Sequence, residues 1–361
     1  SRCSPTWAWS ARISCWTISV AERFRPLAMA GLAALALVLA GCGDTLESFG
    51  GPTMGSTYSI KYVRGASAPD VQTAKAAVEA ILAEVDRQMS TYRDDSLVSR
   101  FNALPAQSCM ELPPPMLELL RYGGELSEQS QGAFDMTVEP LMNLWGFGPQ
   151  ARVEKVPSAE QIAAVRRDVG HRHLRIDGQR LCKDAAVQLD FDSIAAGYTV
   201  DAVGERLKEL GVRSYLAEIT GELKAEGRKP DGTPWRIAIE APREGQRVAQ
   251  QVLALDGYGV STSGDYRNYF EENGQRYSHT FDPRTGAPID HHLASVTVID
   301  PSTRNADGLS TLLMVLGPEE GYRFAEKHRL AALFVSRQGN GFDSRTTPRY
   351  EQLFGNQGER P

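Results

Sequence analysis

The sequence predicts an α+β fold, a single domain in which helices pack on mixed, mostly antiparallel sheets. Three observations predict it: apolar residues recur every three or four positions in some segments, they alternate in others, and strands arrive in runs instead of alternating regularly with helices. The domain begins at STYSIKYV (56–63), which alternates like a strand. A helix follows from about Asp70 to Met89, with Val71, Ala74, Val78, Ile81, Leu82 and Val85 at helical spacing. MSTYRDDS is loop chemistry, and Pro113–Pro115 introduce a second amphipathic helix. Ser158 with Gln161 makes a capping-box pattern that starts a third. From 188 onward come a strand (VQLDF), a helix over about 194–210 closed by Gly211, and the strand SYLAEI. WRIAIEAP, VAQQVLALD, YGVSTSG, RYSHTF and LASVTVI continue as strands. A helix opening at Asp307, another over GPEEGYRFAEKHR, and the strand LAALFVS complete the order.

The N-terminal region has a different character. LAMAGLAALALVLAGC (27–42) is an apolar run that ends in small residues and a cysteine, flanked by Arg23 and Arg25. It is too short for a comfortable membrane span and reads as a secretory signal. Leu39-Ala40-Gly41-Cys42 resembles a bacterial lipobox, so residues 1–41 are expected to be a signal peptide and Cys42 a lipidation site. The chain opens with Ser1, and residues 1–19 show no periodicity, which suggests an over-extended reading frame with a start nearer Val20. The expected organisation is then a lipidated tether (42–50), a domain over 51–350 and a tail over 351–361.

Cleavage before Cys42 removes four Arg and one Glu, moving the net charge from −6 to about −9. An acidic, aromatic-poor chain without basic runs argues against nucleic acid as partner. Cys109 and Cys182 are left either as a disulfide or as two free thiols. No His-x-x-x-His, Cys-x-x-Cys, G-x-S-x-G or Walker loop occurs, which sets aside zinc hydrolases, redox dithiols, α/β-hydrolases and P-loop enzymes.

Four stretches carry candidate chemistry. In RNADGLSTLLMVLG, Asp307, Ser310 and Thr311 stand at i, i+3 and i+4, so their oxygens share one helix face. That is a hard-oxygen set suited to Mg²⁺; equally, Asp is a favoured N-cap. LDFDSIAAGYTVD places Asp190 and Asp192 where a strand turns into a helix, a place that suits a phosphate or its metal as well as a simple cap. RYSHTFDPRTGAP sets His279 on a strand two residues before Phe281, as a general base or a ring-stacking wall. GAFDM and MSTY put aromatic beside polar groups, which suits a planar heteroaromatic ligand, although Phe134 also fits a core. His171, His173, His291, His292 and His328 are read as structural.

Taken in order, TMGSTYSI, MSTYRDDSLVSRFN, GAFDMTVEPLMNLWGFGP, LDFDSIAAGYTVD, YLAEITGEL, STSGDYRNYF, SHTFDPRTGAPI and NADGLST resemble the ApbE family of FAD:protein FMN transferases over roughly residues 50–345. The resemblance implies transfer of FMN from FAD, with Mg²⁺, to a Thr or Ser hydroxyl of a membrane redox subunit, releasing AMP. It implies FAD contacts at Met54, Tyr92, Ala133, Phe134, Asp135, Asp190, Ala196 and Phe281. It places metal ligands at Ser193 (through backbone oxygen), Asp307, Ser310 and Thr311, and gives His279 a part in deprotonating the acceptor. It also implies a lipoprotein of the bacterial cell envelope, facing the periplasm from the inner or outer membrane. Two positions depart from the pattern: Ala196 replaces Lys or Glu, and Thr220 replaces one glycine of a GG pair. A lipoprotein that stores FAD and a Mg²⁺-dependent FAD pyrophosphatase remain open as alternatives.

Overall fold

The computed structural model describes residues 43–149, 155–242, 248–265, 269–339 and 341–356. The expected signal peptide and Cys42 lie outside them, as do residues 357–361 of the C-terminal tail. At the centre is an eight-stranded sheet whose strands lie side by side in chain order, every neighbouring pair antiparallel. They are β1 (Thr45–Thr53), β2 (Ser56–Arg64), β3 (Tyr215–Ile219), β4 (Glu222–Glu226), β5 (Tyr258–Gly264), β6 (Leu293–Asp300), β7 (Ala331–Gln338) and β8 (Gly341–Thr346). The expected polar tether is therefore largely β1, an edge strand. Its exposed and half-buried residues alternate, and Phe49 packs edge-on against Tyr58 and Tyr62.

The helices, in order, are α1 (Val71–Met89), α2 (Leu97–Asn102), α3 (Pro114–Gln129), α4 (Glu139–Trp145), α5 (Ala159–Val165), α6 (Ala195–Glu209), α7 (Thr303–Lys327) and α8 (Pro348–Phe354). One sheet face is covered by helices, because strand side chains alternate. Ile60, Tyr62 and Ala217 meet α1 and α6, while Val296, Val298 and Phe334 meet α7. On the other face Val260, Ile299, Leu333 and Val335 pack under α8 and a separate hairpin, Trp235–Glu240 with Ala249–Leu255. α3 and its neighbours extend the first core away from the sheet. The capping box at α5 forms as the sequence predicts.

Three expectations change. Residues 187–191 make no strand pair; Asn102 stands in for one, its Oδ1 accepting from the Leu189 N–H (2.7 Å) and its Nδ2 donating to the Leu189 carbonyl (2.9 Å). The helix expected to open at Asp307 begins a turn earlier, with Ser302 as its cap. It runs on through a kink at Gly317 (φ 79°), where Pro318 has no N–H for the Met314 carbonyl. His291 Nε2 donates to that carbonyl at 2.9 Å, which gives this histidine the structural role read from the sequence. Cys109 and Cys182 face each other on two strands of a small sheet and form a disulfide, settling that choice.

Candidate functional site

The lower half of α7 faces a cavity of about 770 Å³, walled by segments that are far apart in sequence. How Asp307 reaches it begins with the start of α7. The free N–H groups there are satisfied from another helix: Asp201 of α6 accepts from the N–H of Thr303 (3.0 Å) and of Arg304 (3.1 Å) and from Ser302 Oγ (2.8 Å). Lys224 Nζ donates to the same carboxylate at 2.9 Å. Burial raises the Asp201 pKa, but these donors more than offset it and hold the group below its ordinary value. Asp307, a turn further on, is thereby released from capping.

Where α6 crosses α7 the contact is so close that only glycine fits. A Cβ on Gly197 would lie 2.6 Å from the Asp307 Cβ and closer still to the Thr303 carbonyl oxygen. The Gly197 N–H donates to Asp307 Oδ2 at 2.8 Å. Asp307 is buried, with 5% of its surface exposed. Burial, then the nearby Glu222 and Asp192 carboxylates, push its pKa well above the carboxylate range.

A second acidic group lies on the 190–193 turn. Asp190 is pushed up to about 7 by burial and by Glu139. Asp192, on the cavity wall and open to solvent, is raised to about 8, chiefly by Asp190 and then by the surrounding protein. Glu139 is buried and raised by desolvation, and its Oε2 has no hydrogen-bond partner within the protein. Carboxylates collected in a cavity at this density repel one another, and a cation relieves the repulsion.

The cavity brings together Ala133, Phe134, Asp135, Asp190, Ser193, His279, Phe281, Asp307 and Thr311 of the residues expected from sequence. Asp135 spends its oxygens on its own surroundings, accepting from the Thr137 N–H and Oγ1 and from the His171 N–H. Phe281 is packed against Trp145 and Phe147. His279 stands not on a strand but at the junction between Gln275–Ser278 and Phe281–Asp282. Four expected residues are not on the wall. Met54 occupies the β1–β2 turn and packs on the helix-side cores. Tyr92 is 71% exposed in the loop after α1; partial desolvation and then the charges of Asp192, Asp190 and Glu139 raise its phenol. Ala196 is half-buried in the first turn of α6. Ser310 is fully buried behind the wall, its Oγ 3.0 Å from the Asp307 carbonyl and bonded to Ser261 and Ser263.

Sequence reading alone did not single out Glu222, Glu139, Gly197, Ser261 and Ser263. Each acts through a contact distant in sequence, so no local spacing marks it. The strand pattern YGVSTSG held the two serines without showing which neighbours they meet.

A profile of the ApbE family matches residues 54–334. The chain belongs to the ApbE family. An FAD:protein FMN transferase of Vibrio cholerae is 44% identical over 309 residues, which cover 85% of this chain and 92% of that protein. One from Haemophilus influenzae is 42% identical over 330 residues, 89% and 95% of the two chains. Among solved structures, the apo form of Pseudomonas stutzeri flavinyl transferase ApbE superposes with a TM-score of 0.82 at 64% identity, covering 87% of this chain and 98% of that one. The α+β architecture read from the sequence is the ApbE fold.

The cavity suits the cation expected for this family. Among the described residues no group of three or more His, Cys, Asp or Glu side chains is arranged to hold a metal alone. The donor set at α7 is instead one buried carboxylate with one N–H partner, flanked by hydroxyls and further carboxylates. Such a partial oxygen set fits Mg²⁺, which keeps positions for water and ligand phosphates.

Proposed function

We propose that this protein transfers FMN from FAD to a Thr or Ser hydroxyl of an acceptor protein, releasing AMP. The observation that carries the reading is the convergence of Phe134, Asp190, Ser193, His279, Phe281, Asp307 and Thr311, from four separate stretches of chain, on one cavity wall. Asp307, Thr311 and the Ser193 backbone oxygen would hold Mg²⁺, with Ser310 behind them in place of the ligand role its spacing suggested; the ion when bound supplies positive charge to the FAD pyrophosphate. Phe134 and Phe281 give the flavin apolar surface, and Met54, Tyr92, Ala133, Asp135, Asp190 and Ala196 are assigned to the same ligand. His279 accepts the proton of the acceptor hydroxyl as its oxygen bonds to the FMN phosphorus. The pyrophosphate P–O bond breaks on the opposite side and AMP carries away the electron pair.

The acceptor is proposed to be a membrane redox subunit, met in the periplasm by a protein anchored through lipidated Cys42. The apolar run before Cys42 and the Cys109–Cys182 disulfide, at home in an oxidising compartment, support this placement. Incubation with FAD, Mg²⁺ and a Thr-bearing acceptor domain tests the activity. A fluorescent acceptor band that survives denaturing electrophoresis is expected; bound FAD with no such band would leave only a storage protein, and FMN with AMP at full rate without acceptor would mark a pyrophosphatase.

A further inference from the structure

The hairpin of Trp235–Glu240 and Ala249–Leu255 lies on the outer face of the central sheet, with Ile237, Ile239, Leu253 and Leu255 in one core with Val260, Ile299 and Leu333. Its second strand is turned toward α8, where Tyr350 Oη donates to Gln251 Oε1 at 2.7 Å. Its first strand is turned toward the cavity, and Arg236–Glu240, five residues in succession, line it. Successive side chains of a strand point to opposite faces, so a cavity lined by five in a row meets the strand along its edge. β3 shows the contrast. Only Leu216 and Glu218 of that strand reach the cavity, two positions apart, so β3 presents a face to it as a floor. Among the described residues no third strand pairs with Trp235–Glu240.

The FAD contacts that the cavity holds, Ala133, Phe134, Asp135, Asp190 and Phe281, come from other segments, which leaves the side made by β3 and the hairpin for the second substrate. That substrate is a polypeptide, and it must bring a hydroxyl to His279 in the same cavity. An open strand edge recognises a polypeptide through main-chain hydrogen bonds, largely whatever its side chains. A nucleotide has no matching row of N–H and C=O groups.

We propose that the acceptor segment binds here in extended form, as a third strand beside Trp235–Glu240, with its Thr or Ser directed along the cavity to His279. The inference rests on the transferase reading above. Paired strands lie about 4.8 Å apart, so the added strand runs over the β3 floor. Its side chains alternate between half-buried Leu216 and exposed Glu218 below and solvent above.

The test is amide hydrogen exchange of the full chain with an acceptor domain whose Thr is replaced by Val, so that it docks without reacting, at a concentration well above the KM of the unaltered domain. Exchange at alternate amides of 236–240 is expected to slow about tenfold or more, because every second N–H of an edge strand points away from its hairpin partner. FAD or AMP alone leaves it unchanged. Proline placed at successive positions beside the acceptor Thr is expected to raise KM about fivefold at every second position, the effect of one lost main-chain hydrogen bond, with kcat kept. Slowing by FAD or AMP alone would make this edge the nucleotide seat. An acceptor that is flavinylated yet slows nothing at 236–240, or proline losses without the two-residue period, would place docking elsewhere. Each of these overturns the inference. If the folded chain with FAD and Mg²⁺ leaves the unaltered domain unmodified, the transferase reading falls and the inference with it.

Discussion

Substituting Gly197 by alanine perturbs the point where α6 meets α7. The added methyl carbon would sit 2.6 Å from the Asp307 Cβ. Carbon atoms pack at about 3.5–4.0 Å, so α7 must retreat by roughly 1 Å or the contact stays strained. Overfilling of this kind costs about 1–3 kcal/mol. The same displacement lengthens the 2.8 Å bond from the Gly197 N–H to Asp307 and carries the carboxylate away from its place on the wall. A misplacement near 1 Å in a reacting constellation slows turnover by about a hundredfold. Urea unfolding measures the first effect and the rate of FMN transfer the second, with Gly204→Ala as a comparison in the same helix, where an added methyl meets Tyr215 instead. A Gly197→Ala protein within about 0.5 kcal/mol of wild type and equally active would refute the claim that this crossing positions Asp307.

Three further outcomes follow from the same geometry. Asp201→Asn should lose about 2 kcal/mol in urea unfolding, since a charged acceptor to the α7 N–H groups and Lys224 is replaced by a neutral one. Because the folded-state pKa of Asp201 lies below its unfolded value, the wild-type advantage is full above about pH 4 and disappears as pH falls through the folded value; an advantage unchanged by acid would contradict this. Opening the Cys109–Cys182 disulfide, which closes a loop over a sequence separation of 73, should lower stability by about 4 kcal/mol in the chain-entropy account. Comparing the Cys109→Ser/Cys182→Ser protein with wild type by calorimetry checks it, and an unchanged midpoint speaks against the account. Asp307→Ala should abolish Mg²⁺-dependent turnover while its circular dichroism and melting stay close to wild type; full activity with about 1 kcal/mol of lost stability would leave Asp307 only the structural role of accepting the Gly197 N–H.

The parts of the fold legible in the sequence are those fixed by local pattern. α1 shows its period over nineteen residues and its Asp70 cap, and β6 its β-branched run. β1 was hidden because an edge strand needs little apolar alternation: its residues are mostly exposed, and β2 supplies its hydrogen bonds. The first turn of α7 was hidden because TRNA is polar, so the apolar run appeared to begin at Asp307. The cap that frees Asp307 comes from Asp201, more than a hundred residues earlier, and no spacing rule reaches that far.

The site divides in the same way. Asp307 with Thr311 was visible as one helix face, and Phe134 and His279 as groups of the right chemistry in motifs of family order. Glu222 and the serines of β5 were not, since their roles exist only once three elements are packed together. Ser310, read as a ligand from its spacing, faces inward and bonds the serines of β5, because a single helical position separates it from the wall.

A cavity that moves FMN onto a protein leaves a covalent mark on that protein. Mass spectrometry of a redox subunit co-expressed with the wild-type chain tests it most directly. The expected product is the subunit with one FMN attached through a phosphoester at a single Thr or Ser, absent when the Asp307→Ala chain is expressed instead. A subunit that stays unmodified beside the folded wild-type chain, with FAD and Mg²⁺ present, would contradict it.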